Sequence, residues 1–384
     1  MAFPNLTGRR VALFTGSYNH IADGVALTLN RLVGHLEAHG LNVRVFGPTI
    51  PEPAVKHTGT LVPVPSVSAP GRGEYRLSLG LTRGVRAQVE AFRPELVHIA
   101  TPDLLGLGAL RWARKQGLPV VATYHTHFSS YLKYYRLERL EGLLWRYLRW
   151  FYGQCTHIYV PSPSMEAVLR QHGIRQGLHL WERGVNVERF TPTRRSDVWR
   201  AETMGAAPDE VVVAYIGRLV WEKAVDLFAD VIQALEARGV AHRSLVVGDG
   251  PALADLRARL PHTTFTGYLG GTDLAQAYAS ADVFFFPSDT ETFGNVTLEA
   301  MASGLPTVCA DATGSKTLVV NGETGFLAPS GDREAFREAV ERLVVDHDLR
   351  AHLGAAALAR AQTFAWPVIL DKMLRYYGAV LDPQ

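Results

Sequence analysis

The chain has 384 residues, of which 47% are hydrophobic and 20% charged, and its formal net charge is +2. This length predicts two domains, and the composition is that of a globular protein with enough apolar residues for two cores. No apolar run reaches the ~18–20 residues that a membrane span needs. The N-terminal residues lack the apolar stretch and cleavage site of a signal peptide, so we expect them to lead into a first strand.

The charge is unevenly distributed along the chain. Residues 1–190 contain 22 basic and 12 acidic residues, whereas residues 191–384 contain 17 basic and 25 acidic residues. The basic half favours an anionic partner, such as a phospholipid surface or a phosphorylated acceptor. We do not expect nucleic acid as a partner, because the chain has no recognisable nucleic-acid-binding module and no compact Lys/Arg block.

The two cysteines, Cys155 and Cys309, lie far apart in apolar surroundings. Buried free thiols are the favoured interpretation over a disulfide, and they fit a reducing cytoplasm. No Cys/His cluster has the spacing of a metal site, so the sequence predicts no bound metal and no cofactor.

Short apolar runs alternate with amphipathic helical patterns along the whole chain. In the first half we predict strands at RVALFTG, NVRVFGP, LVHIAT, PVVATYHTH and HIYVPS, with helices at ALTLNRLVGHLEAHG and LGALRWARKQG. In the second half we predict strands at VVVAYIGR, RSLVVGDG, TTFTGYL, VFFFPS, PTVCADA and GFLAPS, with helices that include AVDLFADVIQALEARG, DLAQAYASA and NVTLEAMASG. Near-continuous apolar strands separated by helices indicate parallel sheets that are covered on both faces.

Two such series predict an α/β chain of two doubly wound, Rossmann-like domains that face a cleft between them. The polar segment GVNVERFTPTRRSD marks the boundary, so the first domain comprises residues 1–190 and the second residues 191–365. Residues 366–384 contain a helical pattern, WPVILDKMLRYYGAVL, that we expect to pack back on the N-terminal domain. Because open parallel sheets bind ligands at the carboxyl ends of their strands, the loops there are the candidate site.

One stretch, SDTETFGNVTLEAMASGLPTV, holds Glu291 and Glu299 with seven residues between them. It follows the predicted strand VFFFPS and begins a helix, whose first amides are available to a phosphate at Phe293, Gly294 and Asn295. Glu299 lies about one turn further along, where a carboxylate can accept hydrogen bonds from both hydroxyls of a ribose. Taken alone, Glu291 is more simply an acid that complements the helix dipole and Glu299 a solvated helix residue, but the whole string favours a binding site.

This string, ETFGNVTLEAMASGLPTV, resembles the E-x7-E signature of the retaining glycosyltransferases of family four, which have the GT-B fold. GRLVWEKAVDL resembles their phosphate-binding segment, and VVGDGPALADL, GYLGGTDLAQAYASADVFFFPS and NGETGFLAPSGD resemble segments around the signature. In the first half, SYNHIADGVALTLNRLVGHLEAHG resembles the opening loop and helix, and VVATYHTH the strand that ends in the active-site histidine. The chain departs from the family at Ala224, where glycine is common, and at Thr313-Gly314 and Thr317, where many relatives have a Gly-Gly pair and a glutamate.

The resemblance implies a site for a nucleotide diphosphate sugar. The phosphate-binding cations fall on Arg218 and Lys223, whose positive charges would stabilise a diphosphate leaving group. Gly24 would offer its amide to the diphosphate from the other domain, and the strand end at Tyr268 would hold the nucleobase. Taken singly, the two cations are equally well a surface pair, Gly24 a helix-entry turn, and the Tyr268 ring a packing residue.

Three further roles follow from the resemblance. In the family the first glutamate contacts hydroxyls of the donor sugar and the second contacts the ribose, roles that fall on Glu291 and Glu299. His125 ends the strand PVVATYHTH and is the candidate active-site histidine, although a lone histidine there is more often a satisfied polar residue. Weaker candidates on the acceptor side are His127, Lys133 and Arg136.

Residues 127–154 contain nine aromatic and five basic residues but two glutamates. This composition suits a membrane interface or a lipid-phosphate acceptor, and it equally suits a helix pair whose aromatic residues fill the core. The basic first half favours peripheral contact with the cytoplasmic face of an inner membrane by a cytoplasmic protein. Lipid mannosyl-, glucuronosyl- and sulfoquinovosyltransferases share the resemblance, which implies a lipid-linked acceptor.

We therefore predict a metal-independent, retaining glycosyltransferase that moves a hexose from a nucleotide diphosphate sugar to a hydroxyl acceptor and forms an α-linkage. GDP-mannose is the first candidate donor, a UDP-hexose or UDP-uronic acid the second, and the expected acceptor is lipid-linked or a glycan. One alternative is a sugar-nucleotide epimerase of the same fold. Another is a catalytically silent protein that binds a nucleotide sugar or acts as a scaffold, against which the intact motif argues.

Overall fold

The computed structural model describes residues 5–21, 23–69, 72–124, 141–291 and 293–382. The chain forms two compact units, the first of residues 1–182 and 369–384 and the second of residues 183–368. The division lies a few residues before the boundary expected at residue 190. From Ile369 onward, the C-terminal helix groups with the first unit.

The first unit contains a parallel sheet in the order β3-β2-β1-β6-β7-β8-β9, and a separate antiparallel pair, β4-β5. These strands are β1 (Arg10–Phe14), β2 (Asn42–Gly47), β3 (Thr60–Pro63), β4 (Ser66–Ala69), β5 (Arg72–Ser78), β6 (Leu96–Ile99), β7 (Val120–Thr123), β8 (His157–Val160) and β9 (Leu178–Leu180). The predicted strands of the first half are confirmed at β1, β2, β6, β7 and β8. The central strands β6 and β7 are buried along their whole length, as expected for a sheet covered on both faces.

The helices described between these strands are α1 (Gly24–Ala38), α2 (Arg83–Phe92), α3 (Leu104–Lys115), α4 (Glu141–Tyr152) and α5 (Pro163–Gln171). Side-chain caps fix where several of them begin. The Asp23 carboxylate accepts a hydrogen bond from the Ala26 amide at 2.7 Å, and the Asp103 carboxylate accepts one from the Gly106 amide at 2.8 Å. Such caps satisfy amides that have no partner within the helix and are worth about 1 kcal/mol each.

The second unit contains a parallel sheet in the order β12-β11-β10-β13-β14-β15. Its strands are β10 (Val212–Ile216), β11 (Arg243–Val247), β12 (Thr264–Gly267), β13 (Val283–Phe286), β14 (Thr307–Ala310) and β15 (Gly325–Ala328), and all six predictions for the second half are confirmed. The helices are α6 (Asp197–Met204), α7 (Val225–Ala237), α8 (Leu253–Arg259), α9 (Gly271–Ala279), α10 (Asn295–Ala302), α11 (Thr313–Leu318), α12 (Arg333–Val345) and α13 (His347–Gln362). This strand order is that of the Rossmann fold, so the predicted fold class is confirmed.

The last helix, α14 (Trp366–Leu381), covers the predicted segment WPVILDKMLRYYGAVL. Within the first unit, the Tyr377 hydroxyl lies 2.6 Å from Nδ1 of the fully buried His98, whose Nε2 lies 2.6 Å from the Thr123 hydroxyl. Burial lowers the pKa of His98 to about 3, so this imidazole is neutral. A buried polar network of this kind joins the helix to strands β6 and β7.

The two cysteines are free thiols, as predicted. Cys309 is buried in β14, whereas Cys155 is half-buried after α4. Burial raises the pKa of both thiols to about 12. Neither is therefore a reactive thiolate at neutral pH.

Ala224 has a left-handed backbone, with φ 51° and ψ 41°, between a short 3₁₀ turn at Trp221–Lys223 and the first residue of α7. A side chain in this region crowds the backbone and costs roughly 1–2 kcal/mol, whereas glycine adopts it without that cost. The departure from the family's common glycine therefore leaves the backbone path intact and adds local strain. This turn fixes the position of Lys223.

We expect Ala224→Gly to raise the free energy of unfolding by about 1 kcal/mol, because relief of the left-handed strain exceeds the extra entropy of glycine in the unfolded chain. The matched control is Ala355→Gly, at an exposed position inside α13, where glycine should destabilise by about 1 kcal/mol. Urea unfolding of both variants checks the opposite signs. Equal destabilisation by both changes would contradict the strain at Ala224.

Candidate active site

The connections of the second sheet diverge between β10 and β13, which are neighbours in the sheet but not in the chain. At such a switch point the loops leave the carboxyl ends of the strands in opposite directions and open a crevice. A cavity of about 260 Å³ lies there, and it is lined by Ile216, Gly217, Arg218, Val247, Gly248, Asp249, Tyr268, Leu269, Leu274, Tyr278, Val296 and Glu299. The loops after β10, β11 and β12 and the helix α10 after β13 all contribute to it.

Two glycines after β11 allow the loop to pack tightly against the loop after β10. A Cβ on Gly248, which has φ +143°, would lie 1.9 Å from the Gly217 carbonyl oxygen. A Cβ on Gly250, with φ +157°, would lie 2.3 Å from the Leu219 carbonyl oxygen. Glycine is therefore sterically required at both positions of VVGDGP, and the close packing of the two loops places Asp249 in the wall of the cavity.

Asp249 and Glu299 are the acidic residues of the cavity, and Glu299 is the less exposed of the two. The Tyr278 hydroxyl donates a hydrogen bond to its Oε2 at 3.1 Å, and Tyr278 itself is fully buried. Burial raises the pKa of Glu299 to about 7, although the Tyr278 hydrogen bond and the charge of Arg189 act in the opposite direction. The tyrosine holds one carboxylate oxygen in place, so that the carboxylate is oriented at the cavity wall as a hydrogen-bond acceptor.

The helix α10 begins at Asn295, after Gly294 with φ +94°. Among the residues that the structure describes, no side chain caps this helix start. The predicted amides at Phe293, Gly294 and Asn295 therefore lie at a helix N-terminus that carries the positive end of the helix dipole. The Phe293 side chain is buried and packs edge-on against Phe364, so that only its backbone bears on the site.

Lys223 and Glu291 form an ion pair in the second unit. The Lys223 Nζ lies 2.6 Å from the Glu291 Oε1 and donates a second hydrogen bond, at 2.9 Å, to the Thr290 hydroxyl. The Thr290 hydroxyl in turn donates to the Glu222 carbonyl at 3.2 Å. The loop after β13 and the turn before α7 are thus joined by opposite charges, and two residues predicted for one site are in direct contact.

Gly314, at one of the departures from the family pattern, positions Glu291. A Cβ on Gly314 would lie 2.6 Å from the Glu291 carbonyl oxygen and 2.8 Å from its Cβ. Glycine is thus required where α11 approaches the loop of Glu291. Thr317, the position without the glutamate, is half-buried, and its hydroxyl donates a hydrogen bond to the Thr313 carbonyl at 3.3 Å.

Arg218 and Tyr268 lie at the open side of the cavity. Arg218 is exposed, and its side chain makes no ion pair or hydrogen bond with the residues that the structure describes. The Tyr268 side chain is 80% exposed, so the interpretation of this ring as a packing residue is wrong. Both side chains are available to a ligand in the cavity.

The other predicted residues belong to the first half of the chain. Gly24 is the first residue of α1, whose cap Asp23 also accepts a hydrogen bond from the Ser17 hydroxyl at 3.2 Å. The candidate residues that lie outside the described residues are His125, His127, Lys133 and Arg136. Their predicted roles stay predictions.

The described part of the aromatic segment supports the core interpretation for most of its rings. Trp145, Phe151 and Tyr152 of α4 are buried, and Trp145 stacks on His172 with ring centroids 3.7 Å apart. Leu143 and Trp150 are exposed on the same helix. Over the described residues, none of the helices combines the length and apolar character of a membrane span.

Sequence reasoning missed three residues that organise the site. Tyr278 lies on α9 and orients Glu299, Thr290 shares the Lys223 ammonium, and Gly314 makes room for Glu291. The sequence carries a signal for one of them, because Thr290 directly precedes the first glutamate of the signature. Tyr278 and Gly314 meet their partners only through the fold.

Two family models match separate parts of the chain. The model described as "Glycosyl transferases group 1" matches residues 210–346, and the model described as "Glycosyltransferase Family 4" matches residues 22–189. The first range contains the cavity, the ion pair and α10. The second range lies almost entirely in the first unit.

Relatives and solved structures resemble the chain over nearly its whole length. It is 36% identical over 383 residues to a GDP-mannose-dependent alpha-mannosyltransferase of Mycobacterium tuberculosis, covering 98% of each chain. It is 32% identical to the sulfoquinovosyl transferase SQD2 of Arabidopsis thaliana, covering 95% of this chain and 72% of that one. The solved structure of Anabaena HepE in complex with UDP has a TM-score of 0.74 at 19% identity, covering 97% of this chain and all of the other.

The strand order of both sheets, the position of Glu299 in the cavity and these similarities agree with one another. The predicted family is therefore confirmed. The chain belongs to the family 4 glycosyltransferases, which have the GT-B fold.

Proposed function

We propose that the chain is a retaining, GDP-mannose-dependent α-mannosyltransferase that transfers mannose to a hydroxyl of a lipid-linked or glycan acceptor. The observation that carries this proposal is the 36% identity, over 98% of both chains, to a relative named for GDP-mannose. The cavity in the second unit supports it, because its volume and its largely apolar lining, with the acids Asp249 and Glu299, suit a nucleoside.

The cavity residues suggest how the nucleotide would lie. The Glu299 carboxylate, held by Tyr278, would accept hydrogen bonds from the two ribose hydroxyls. The exposed Tyr268 ring would stack on the nucleobase at the mouth of the cavity. The diphosphate would then bind the amides at the start of α10 and the side chains of Arg218 and Lys223.

Donor binding would exchange the partners of the Lys223–Glu291 ion pair. In the structure each charge satisfies the other at 2.6 Å. A nucleotide sugar offers a replacement for both, because its phosphates attract the ammonium and its sugar hydroxyls donate hydrogen bonds to the carboxylate. The free site therefore holds both side chains together at the place where the donor would replace their contact.

The chemical step would break the bond between the sugar C1 and the diphosphate oxygen, whose electron pair stays on the diphosphate. Arg218, Lys223 and the α10 amides would stabilise the added negative charge, so that these groups do the charge work and no metal ion is required. The acceptor oxygen would bond to C1 on the face that the diphosphate leaves, so the product would retain the α configuration. The proton of the acceptor hydroxyl would pass to the leaving diphosphate. His125 is proposed to hydrogen-bond the sugar or the acceptor during this step.

The acceptor side is proposed to lie on the basic first half. Residues 1–190 carry an excess of ten basic over acidic residues, which would attract a lipid phosphate or an anionic membrane surface. His127, Lys133 and Arg136 are the proposed acceptor contacts. A cytoplasmic enzyme with peripheral membrane contact fits this charge distribution.

Calorimetric titration with GDP, UDP and ADP, without added metal, tests the donor. We expect GDP to bind at least about tenfold more tightly than the other two, because a site that hydrogen-bonds one base leaves polar groups unpaired with another. Preference for UDP would overturn the GDP-mannose assignment in favour of a UDP-hexose or UDP-uronic acid. Release of GDP from GDP-mannose in the presence of alkyl mannosides then separates a transferase from a silent binding protein.

Two substitutions in the ion pair should separate chemistry from nucleotide binding. We expect Glu291→Ala to abolish mannose transfer while GDP still binds, because the carboxylate would contact the sugar. Lys223→Ala should weaken GDP binding about tenfold or more, because it removes a charge-assisted hydrogen bond to phosphate. The measurements are product formation and calorimetric affinity for GDP.

The matched control is Lys316→Ala, which removes the lysine of another ion pair of the second unit, 3.1 Å from Asp311. This variant should bind GDP like the unmodified protein. Normal transfer by Glu291→Ala would show that the active-site assignment is wrong.

Binding of GDP-mannose should depend on pH through Glu299, whose pKa is raised to about 7. Below this pH the free carboxyl holds a proton that it must lose to accept two ribose hydroxyls, so Kd should rise by up to about tenfold per pH unit as the pH falls. Above it, Kd should be constant. GDP-mannose is the suitable ligand because its diphosphate, unlike that of GDP, has no terminal phosphate that titrates near neutrality.

Glu299→Gln provides the control for this pH dependence. It should bind GDP-mannose more weakly at about pH 8 and with little change down to about pH 6, because the titrating group is absent. A variant that kept the full pH dependence would assign the titration to another group.

A further inference from the structure

A cluster of three metal-ligating side chains lies in the first unit, whereas the proposed donor cavity belongs to the second. His35 is in the last turn of α1, His39 is the residue that caps the C-terminal end of this helix, and Asp371 is on α14. Residues four apart at the end of a helix project to a similar side, and both imidazoles lie close to Asp371 of the neighbouring helix. Asp371 is 336 positions from His35 in the sequence, so the three side chains come together only in the folded chain.

The ligand atoms of the three side chains are close enough for one ion. One nitrogen from each histidine and one oxygen of Asp371 all lie within 4.8 Å of one another. The His35 Nε2 is 2.9 Å from the Asp371 Oδ1. Two ligands at ~2.0–2.1 Å from a tetrahedral zinc ion are about 3.4 Å apart, so an ion between them requires a shift of roughly half an ångström.

The second histidine has the hydrogen bond that metal-bound imidazoles usually make. The His39 Nδ1 lies 2.8 Å from the His35 carbonyl oxygen, and since a carbonyl only accepts, this nitrogen carries the proton and donates it. In the neutral ring the lone pair is then on Nε2. A backbone carbonyl that fixes the tautomer and orientation in this way is the typical outer-shell partner of a histidine ligand.

The burial of the cluster is intermediate. The side chains of His35 and Asp371 are 16% and 28% exposed, and His39 is exposed, so an ion can reach the site from solvent. The rings of the two histidines lie 4.4 Å apart.

We propose that His35, His39 and Asp371 form a binding site for a transition metal ion of the zinc type, which joins α1 to the C-terminal helix α14. Imidazole nitrogens with one carboxylate suit Zn²⁺, Ni²⁺ or Co²⁺ and not Mg²⁺, which prefers oxygen ligands. Three protein ligands leave the fourth tetrahedral position to water. The ion takes the place of the proton between His35 and Asp371 and stabilises the first unit.

Titration with ZnCl₂ tests the site, on chelator-treated protein from which any polyhistidine tag has been removed. We expect one ion to bind per chain, and His39→Ala to weaken this binding at least about tenfold. The control is His347→Ala, which removes an exposed histidine 3.2 Å from the Asp348 carboxylate, in a pair that has no third ligand within the described parts of the chain. Unchanged zinc binding by His39→Ala, or no zinc binding by the unmodified protein, would overturn the proposal.

Thermal unfolding separates a metal site from a plain ion pair between the two helices. Zinc at about a hundred times its Kd should raise the melting temperature, because a ligand that binds the native state stabilises it. His39→Ala should leave the metal-free melting temperature nearly unchanged and remove the zinc-dependent rise, whereas MgCl₂ should cause no rise in either protein. A zinc-dependent rise that persists in both His39→Ala and Asp371→Asn would place the metal elsewhere and refute the assignment.

Discussion

The divergence of chain connections at β10 and β13 is the constraint on which the proposed donor site depends. Because a parallel sheet must be covered on both faces, successive helices pass to opposite sides where the strand order reverses. No helix can then cover the carboxyl ends of these two strands. The loops that carry Arg218 and Glu291 are left facing one crevice, and the glycines at 248 and 250 let a third loop close its wall.

The second unit stabilises the ionisable side chains of its candidate site in two different ways. Glu299 is held by Tyr278 in apolar surroundings, so that burial makes its negative charge costly until a hydrogen-bond donor arrives. Lys223 and Glu291 instead neutralise one another at 2.6 Å. An unpaired charge in a partly buried site would destabilise the folded state. Both arrangements reduce this cost in the protein without a ligand.

Local patterns in the sequence were sufficient to predict the buried strands of both sheets and the last helix, and to single out the two glutamates as candidate site residues. The edge strands β3 and β9 were not predicted, because short edge strands bury few side chains and carry no apolar run. The Tyr278–Glu299 bond, the contact of Gly314 with Glu291 and the approach of Asp371 to His35 were also beyond prediction. Each joins residues from different elements, whose distance depends on how those elements pack.

The ion pair also suggests why sugar and phosphate recognition would be coupled. A nucleotide without a sugar can attract Lys223 but leaves the Glu291 carboxylate without its partner, and an unpaired, partly buried carboxylate is costly. Under the proposed function, a sugar nucleotide would supply hydroxyl donors to that carboxylate at the same time as it supplied phosphate to the ammonium. The intact donor would therefore compensate both halves of the pair, whereas the spent nucleotide would compensate one. After transfer, re-formation of the pair would favour release of the nucleotide, so a single contact would serve both donor selection and product release.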